Sequence, residues 1–336
     1  MNGRAASFSS AQERSFRRAL LRWYDQHRRD LPWRRDRDPY RIWVSEIMLQ
    51  QTRVAAVLDH YARFMQRFPT VQALAAARET SVLAAWSGLG YYHRARRMHQ
   101  AAKVIARERK GAFPQSARDW LALPGIGRYT AAAIASIAFD EPVAVVDGNV
   151  ERVLQRLLGA VAGREAAWQR AEELLDRERP GDFNQAMMEL GAIICTPRAP
   201  QCLLCPVNSH CRTRGVEAQQ PQAPRKKKEV RYGLATHEDS VLLVQRPADA
   251  SLMAGMWELP ELAPEQVNGD QPLLRVRHSI TDTDYRISVF EVASFNANGG
   301  KWFTARQRER LALTGLARKI LRKMAAESKL AQAESK

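Results

Sequence analysis

Four cysteines, Cys195, Cys202, Cys205 and Cys211, fall within seventeen residues in the spacing C-x6-C-x2-C-x5-C, and the chain holds no others. Cysteines that staple an extracellular fold are spread along it, whereas four crowded together form one metal site with four thiolate ligands. Zinc is one candidate occupant, although zinc modules usually show two short knuckles and only Cys202 and Cys205 make one here. A [4Fe-4S] cluster is the other, and it suits the spacing better.

Two further segments can do chemistry. Leu123-Pro124-Gly125-Ile126-Gly127 lies between a short apolar segment and a small-residue helix expected from about Thr130 to Phe139. Gly125 and Gly127 permit positive φ and close backbone approach, so the amides that open the next helix can point at a phosphate. That is a helix-hairpin-helix signature, although alone it could be an ordinary interhelical turn. About twenty residues on, Val146-Asp147-Gly148-Asn149-Val150 delivers a carboxylate to a turn before the helix of Val153, Leu154, Leu157 and Leu158. By itself Asp147 reads as a helix N-cap more readily than as a catalytic group.

The elements that hold these residues follow from periodicity. Val54, Val57, Leu58, Tyr61, Phe64, Met65 and Phe68 recur at helical spacing and stop at Pro69. Phe183, Met187, Leu190 and Ile194 form another stripe that runs into Cys195, so a helix delivers the first thiolate. Residues 1–218 therefore read as an all-helical domain. The polar run Gln219 to Glu229 reads as a linker. Beyond it the period becomes two, at Val230, Tyr232 and Leu234 and again at Tyr285, Ile287 and Val289, which predicts a strand-rich domain over 230–326 closed by a helix around Leu311 to Met324. The last residues, 327–336, read as a disordered tail.

Lys plus Arg number 52 against 36 acids, an excess of +16 that makes a polyanion the expected partner. Residues 1–218 hold 33 basic and 22 acidic side chains, and 31 of the basic ones are Arg, whose planar fork matches phosphate. A GC-rich genome is an equally good reason for Arg over Lys, though not for the net charge. No apolar run reaches membrane-spanning length, and Met1 to Ser10 lacks the hydrophobic stretch of a signal peptide, so a soluble, cytoplasmic, bacterial protein is expected.

Taken together, the sequence closely resembles the adenine DNA glycosylases, the MutY family. The likeness covers nearly the whole chain. It rests on Leu31-Pro32-Trp33-Arg34, on Trp43 to Thr52 (WVSEIMLQQT), on Gly88-Leu89-Gly90-Tyr91-Tyr92, on the hairpin and the Asp147 segment, on Asn184-Gln185-Ala186-Met187-Met188, and on the cysteine spacing. It implies an all-α helix-hairpin-helix glycosylase domain with a [4Fe-4S] cluster loop, followed by a Nudix-like α+β domain. In bifunctional relatives such as endonuclease III the chemistry resembles a Schiff-base mechanism that uses a lysine just after the hairpin. Tyr129 stands at that position, and no lysine lies between Lys110 and Lys226, which implies a monofunctional enzyme.

The resemblance makes Glu46 the acid that protonates adenine. It makes Asp147 the carboxylate that stabilises the sugar cation or captures it transiently, with Tyr129 and Asn149 as supporting hydrogen-bond donors. Cleavage of a purine N-glycosidic bond needs such a pair, one carboxyl protonated and one ionised. Flanking Val44, Ile47 and Met48 could bury Glu46 and raise its pKa, and a helix N-terminus would keep Asp147 charged. Adenine must leave the duplex stack, and Gln51, Leu89 and Tyr91 resemble the residues that wedge into it, with Arg34, Gly125 and Gly127 further expected DNA contacts.

In the second domain, Val241 to Pro247 and Gly255 to Pro260 resemble the start of a Nudix fold, but the acidic box that holds magnesium is absent after Pro260. Binding is then its expected role, recognition of 8-oxoguanine opposite the target. The family's Phe-Ser-His loop is replaced here by Ile280-Thr281-Asp282 after Arg277-His278. The expected partner is duplex DNA carrying 8-oxoguanine:adenine or guanine:adenine mispairs, bound by a monomer. A helix-hairpin-helix glycosylase for another base, or a non-catalytic iron-sulfur DNA-binding protein, remains an alternative.

Overall fold

In the computed structural model, residues 8–159, 163–214, 225–250, 253–267, 271–280, 283–292 and 300–334 are described. The helices in chain order are α1 (Ser10–His27), α2 (Pro39–Leu49), α3 (Val54–Arg67), α4 (Val71–Ala76), α5 (Glu79–Trp86), α6 (His93–Glu108), α7 (Ala117–Leu121), α8 (Arg128–Phe139), α9 (Gly148–Leu158), α10 (Arg164–Leu174) and α11 (Pro180–Glu189). The strands are β1 (Lys226–Leu234), β2 (Thr236–His237), β3 (Ser240–Gln245), β4 (Trp257–Glu258), β5 (Leu274–Ile280), β6 (Thr283–Glu291) and β7 (Gly300–Thr304), closed by α12 (Ala305–Arg308) and α13 (Gly315–Glu334).

These elements pack as two compact units whose division is not linear in sequence. One takes Met1–Tyr61, Thr70–Gln72 and Gln100–Gln220; the other takes Ala62–Pro69, Ala73–His99 and Pro221–Lys336. The second unit therefore gathers helical residues that composition alone groups with the first. Specific hydrogen bonds are the reason: Ser87 Oγ and Tyr92 OH both donate to Leu313 O, at 2.9 and 3.1 Å, and Arg96 Nη2 donates to Ala254 O at 2.5 Å.

The core of the first unit forms around the buried run Ala144-Val145-Val146, against which Phe16, Leu20, Leu154, Leu157, Phe183 and Met187 pack from α1, α9 and α11. Helices α8 and α11 touch at Gly181, where a Cβ would stand 2.5 Å from Ser136 O and 2.9 Å from Ile137 Cα. Only a residue without a side chain allows that approach.

In the second unit β1, β6 and β5 form one sheet, β1 parallel to β6 and β6 antiparallel to β5. Val276, Ile287, Val289, Val230 and Tyr232 face a core shared with Leu316 and Ile320 of α13. A second sheet runs β2-β3-β4 with β7 on β3.

Two boundaries differ from the sequence reading. The expected linker 219–229 ends earlier, because Lys226–Glu229 already belongs to β1 and pairs with Thr283–Arg286. Backbone pairing supplies those bonds without any apolar pattern, so composition could not show the strand. The expected disordered tail 327–336 is helical as far as Glu334, as its Ala, Lys, Leu, Glu and Gln content favours.

Replacing Gly181 by Ala should destabilise the protein by about 2 kcal/mol, because the methyl group meets backbone that cannot rotate away. Urea unfolding monitored by circular dichroism measures the shift in midpoint.

Candidate active site and cysteine cluster

α2 begins at Pro39, with the Asp38 side chain accepting the Tyr40 and Arg41 amides, so its entry is capped. Two turns on, Glu46 is 6 % exposed among Val44, Ile47 and Met48. Gln50 Nε2 donates to Thr130 Oγ1 at 3.1 Å and ties the end of α2 to α8. α8 itself follows the hairpin: Gly125 takes φ +78° and Gly127 is the N-cap. In the first turn of that helix, the Tyr129 hydroxyl donates to Glu46 Oε2 at 2.7 Å.

Asp147 caps α9. One carboxylate oxygen accepts the Val150 amide at 2.7 Å and the other accepts Asn149 Nδ2 at 2.9 Å. Glu46, Tyr129, Asp147 and Asn149 all line one cavity of about 570 Å³, together with Arg34, Gln185, Met188 and Glu189. Burial pushes the Glu46 carboxyl up to about 7, the Tyr129 hydrogen bond opposes this, Asp147 adds to it, and Arg34 opposes it. Burial and the two carboxylates hold the Tyr129 phenol well above its usual range, so it is a donor at neutral pH.

Residues without a role in the sequence analysis complete the site. Glu189 is 1 % exposed. Burial alone would raise its carboxyl, but the hydrogen bond from Arg29 and the charges of Arg34 and Arg29 hold it below the usual range. Arg29 meets it through Nε at 2.6 Å and Nη2 at 2.8 Å, and Arg34 Nη2 at 3.0 Å. The buried Asn184 registers three elements: its Oδ1 accepts the Val145 amide at 3.1 Å, and its Nδ2 donates to Val143 O at 2.9 Å and Ser136 Oγ at 3.0 Å. The strand-like run to Asp147 is thereby fixed to α8 and α11. Arg152 holds Asn149 from behind, donating to its Oδ1 at 2.9 Å, to Gly191 O at 2.7 Å and, through Nε, to Cys195 O at 2.9 Å. Its place one turn beyond Asn149 was the available signal.

The four cysteines line a second, smaller cavity. α11 continues through one wide turn, Leu190–Ile194, which delivers Cys195; Cys202–Leu204 and Asn208–His210 form single tight turns between the remaining cysteines. The buried Arg156 directs Nη1 to Cys195 Sγ at 3.3 Å and to Thr196 O at 2.8 Å, and Nη2 to Pro197 O at 3.1 Å. Burial and the neighbouring sulfurs raise the Cys205 thiol to about 11, so a metal is what would hold that sulfur as a thiolate. Four soft donors around one cavity with a guanidinium beside them fit an anionic metal-thiolate group. Among the described residues, no set of three or more His, Cys, Asp or Glu side chains is arranged around a single metal ion's position.

The remaining expected DNA contacts are placed separately. Gln51, beyond the end of α2, takes φ +56°. Tyr91, in the second unit, takes φ +46° between Gly90 and Tyr92, and Leu89 is buried at 6 % exposure. Gln51 and Tyr91 thus hold a backbone conformation that costs a non-glycine residue energy and persists where the surrounding structure over-determines it. Ile280 ends β5, its side chain not described, and Thr281 and Asp282 lie outside the described residues.

Comparison with known proteins agrees with this geometry. Residues 44–177 match the HhH-GPD superfamily of base excision DNA repair proteins, and residues 231–323 match the NUDIX domain. An adenine DNA glycosylase of Rattus norvegicus is 42% identical over 315 residues, covering 75% of this chain and 61% of its own length. One of Homo sapiens is 50% identical over 219 residues, covering 61% of this chain and 40% of that protein. The chain thus spans about three-fifths or less of these relatives. Among solved structures, a thermostable thymine-DNA glycosylase superposes with TM-score 0.57 at 31% identity, covering 61% of this chain and 97% of that one. An endonuclease III trapped covalently on DNA gives TM-score 0.55 at 22% identity, covering 62% and 98%, a likeness of fold. The chain belongs to the HhH-GPD superfamily of base excision DNA repair proteins and, within it, to the adenine DNA glycosylase family, whose Nudix-like domain it also carries.

A carboxyl raised on folding binds its proton more tightly in the native state, so its contribution to stability is complete below about pH 4.5 and is lost as pH rises through about 7. Glu46→Gln carries no such proton. Relative to wild type it should gain about 3 kcal/mol of stability across that window, read by urea unfolding at a series of pH values.

Proposed function

We propose that the protein is a monofunctional glycosylase that hydrolyses the N-glycosidic bond of adenine mispaired with 8-oxoguanine or guanine in duplex DNA. The observation that carries this reading is the cavity in which Glu46, raised to about 7, faces the same space as Asp147, both of whose oxygens are engaged as acceptors. A protonated carboxyl and a carboxylate in one pocket are the two groups the reaction asks for. Its volume is in the range of small-molecule sites, as a flipped-out base needs.

In this mechanism Glu46 gives its proton to the purine, the C–N bond breaks with its electron pair going to the base, and the cation left on the sugar faces Asp147. Asp147 stabilises or captures it until water adds at the anomeric carbon and releases a proton. Tyr129 holds the Glu46 carboxyl in place, Asn149 holds Asp147, and Arg152 holds Asn149. The buried Glu189 carboxylate pins Arg29 and Arg34 at the wall of the cavity. Gln51 and Tyr91 would open the stack, whereas Leu89, 6 % exposed, is packed in the core, and Arg34 with the hairpin amides after Gly125 and Gly127 would contact the DNA. With Tyr129 where a bifunctional enzyme needs an amine, no imine forms and the strand stays intact.

Cys195, Cys202, Cys205 and Cys211 would hold a [4Fe-4S] cluster, whose iron-sulfur bonds supply a rigid core to the loop after α11. The Nudix-like domain would read the opposite base through Ile280, Thr281 and Asp282, where Asp282 can accept a hydrogen bond from the exocyclic amine of syn 8-oxoguanine.

Single-turnover reactions on duplexes pairing adenine with 8-oxoguanine, guanine, cytosine or thymine should release adenine from the first two, with strand breaks appearing only after alkali. Glu46→Gln and Asp147→Asn should each lose base excision, at least about a hundredfold by the usual weight of an acid-base group, while keeping duplex affinity. Borohydride trapping of wild-type protein on DNA would refute the monofunctional reading. Metal analysis of anaerobically purified protein should find about four irons per chain; one zinc and no iron would refute the cluster.

A further inference from the structure

The three-stranded sheet of the second unit has two unlike faces. Residues along a strand alternate sides, so with Val230, Ile287 and Val276 turned to the core, their neighbours face outward. The register sets that outer face in rows. Arg275, Ser288 and Arg231 form one row; Arg277, Arg286 and Glu229 the next; Ser279, Asp284 and Lys227 the third. Arg275, Arg277, Arg286 and Lys227 are exposed, and Arg231 is half-buried. Asp284 is already occupied, accepting Ser279 Oγ at 2.6 Å and Arg225 Nε at 2.8 Å, and Glu229 stands 3.9 Å from Arg286. The face therefore stays positive.

The middle row is informative. Arg277 and Arg286 are direct cross-strand partners, with Cβ atoms about 5 Å apart, and like charges so placed weaken a sheet. Lys319 of α13, on the core side of the sheet, donates Nζ to Arg277 O at 2.7 Å and so holds the edge strand's backbone rather than adding to the outer row. Glu229, on the far side of Arg286 from Arg277, is the one acidic group in that row. Guanidinium forks in rows one strand spacing apart suit a run of phosphates, which presents anionic oxygens along a line.

We propose that the outer face of the β1-β6-β5 sheet, centred on Arg277 and Arg286, binds the phosphate backbone of duplex DNA. This rests on the reading of the protein as an enzyme acting on duplex DNA and gives its second unit a sequence-independent grip beside any lesion-reading loop. Arg277 and Arg286 position no reacting atom, so their removal weakens the complex without altering the chemical step.

The test compares wild type, the double variant Arg277→Gln/Arg286→Gln and the charge-keeping Arg277→Lys/Arg286→Lys. Each is titrated at several salt concentrations into a fluorescein-labelled duplex carrying a noncleavable adenine analogue opposite guanine. The Gln variant should bind about tenfold more weakly and lower the salt slope by about two, roughly one unit for each phosphate that no longer meets a guanidinium. The Lys variant should keep most of the affinity. Tm should be unchanged or higher for the Gln variant, because the repulsion is gone, and single-turnover excision at saturating enzyme should match wild type. Wild-type affinity and salt slope in the Gln variant would overturn the proposal, as would weaker binding accompanied by a lower Tm, the mark of a structural role. If wild-type protein binds duplex but releases no adenine, the catalytic reading falls while the binding comparison still decides the sheet face.

Discussion

The Glu46 carboxyl is buried at the wall of the cavity, beside a second carboxylate, and everything around it must make that placement tolerable. Isolated burial of a charge is costly, and the ordinary outcome is a group that keeps its proton. Here that outcome supplies the acid the proposed reaction requires. Arg34 does not cancel it, because the buried Glu189 holds that guanidinium and Arg29 at its own carboxylate. The two buried acids thus take opposite states: one is paired and charged, the other sees a phenol and a second acid.

Asp147 depends on a different framework. As the N-cap of α9 it is held by backbone, and the segment leading to it is held by Asn184. Behind it, Asn149 and Arg152 lead to the carbonyl of Cys195, so the first cysteine of the cluster loop and the carboxylate share one run of hydrogen bonds. Arg156, one turn further along α9, reaches the Cys195 sulfur itself. The cysteine loop and the candidate active site are thereby built on the same helix. The close approach of Gly191 to Asn149, where a Cβ would stand 2.6 Å from Asn149 Cβ, brings the turn before Cys195 against that helix.

Much of this is legible in the sequence where local chemistry and periodicity coincide. The stripe ending at Pro69, the helix leading into Cys195, the small-residue helix after the hairpin and the Asp147 turn are all local signals, and each has its element. Glu46 and Tyr129 stand 83 positions apart, and only the family likeness gives both a place in one site; periodicity has no access to their pairing. Glu189 and Asn184 act through partners brought close by folding, so as isolated polar residues in helices they carry no signal of their roles. Lys226–Glu229 reads as linker because a strand held by backbone pairing at a sheet edge needs no apolar pattern. The two-unit division escapes for a similar reason, since the carbonyl of Leu313 that gathers Ser87 and Tyr92 carries no signature in composition.

A Glu46 that acts as a general acid from a raised pKa makes adenine release depend on pH. The most direct measurement is the single-turnover rate of adenine release at saturating enzyme as a function of pH, for wild type and Tyr129→Phe. The rate should fall as pH rises through about 7 in wild type, with a midpoint displaced upward in the variant, because the lost hydroxyl had favoured the ionised carboxyl. A wild-type rate that stays level between about pH 5.5 and 8.5, or a midpoint that Tyr129→Phe moves downward, would contradict it.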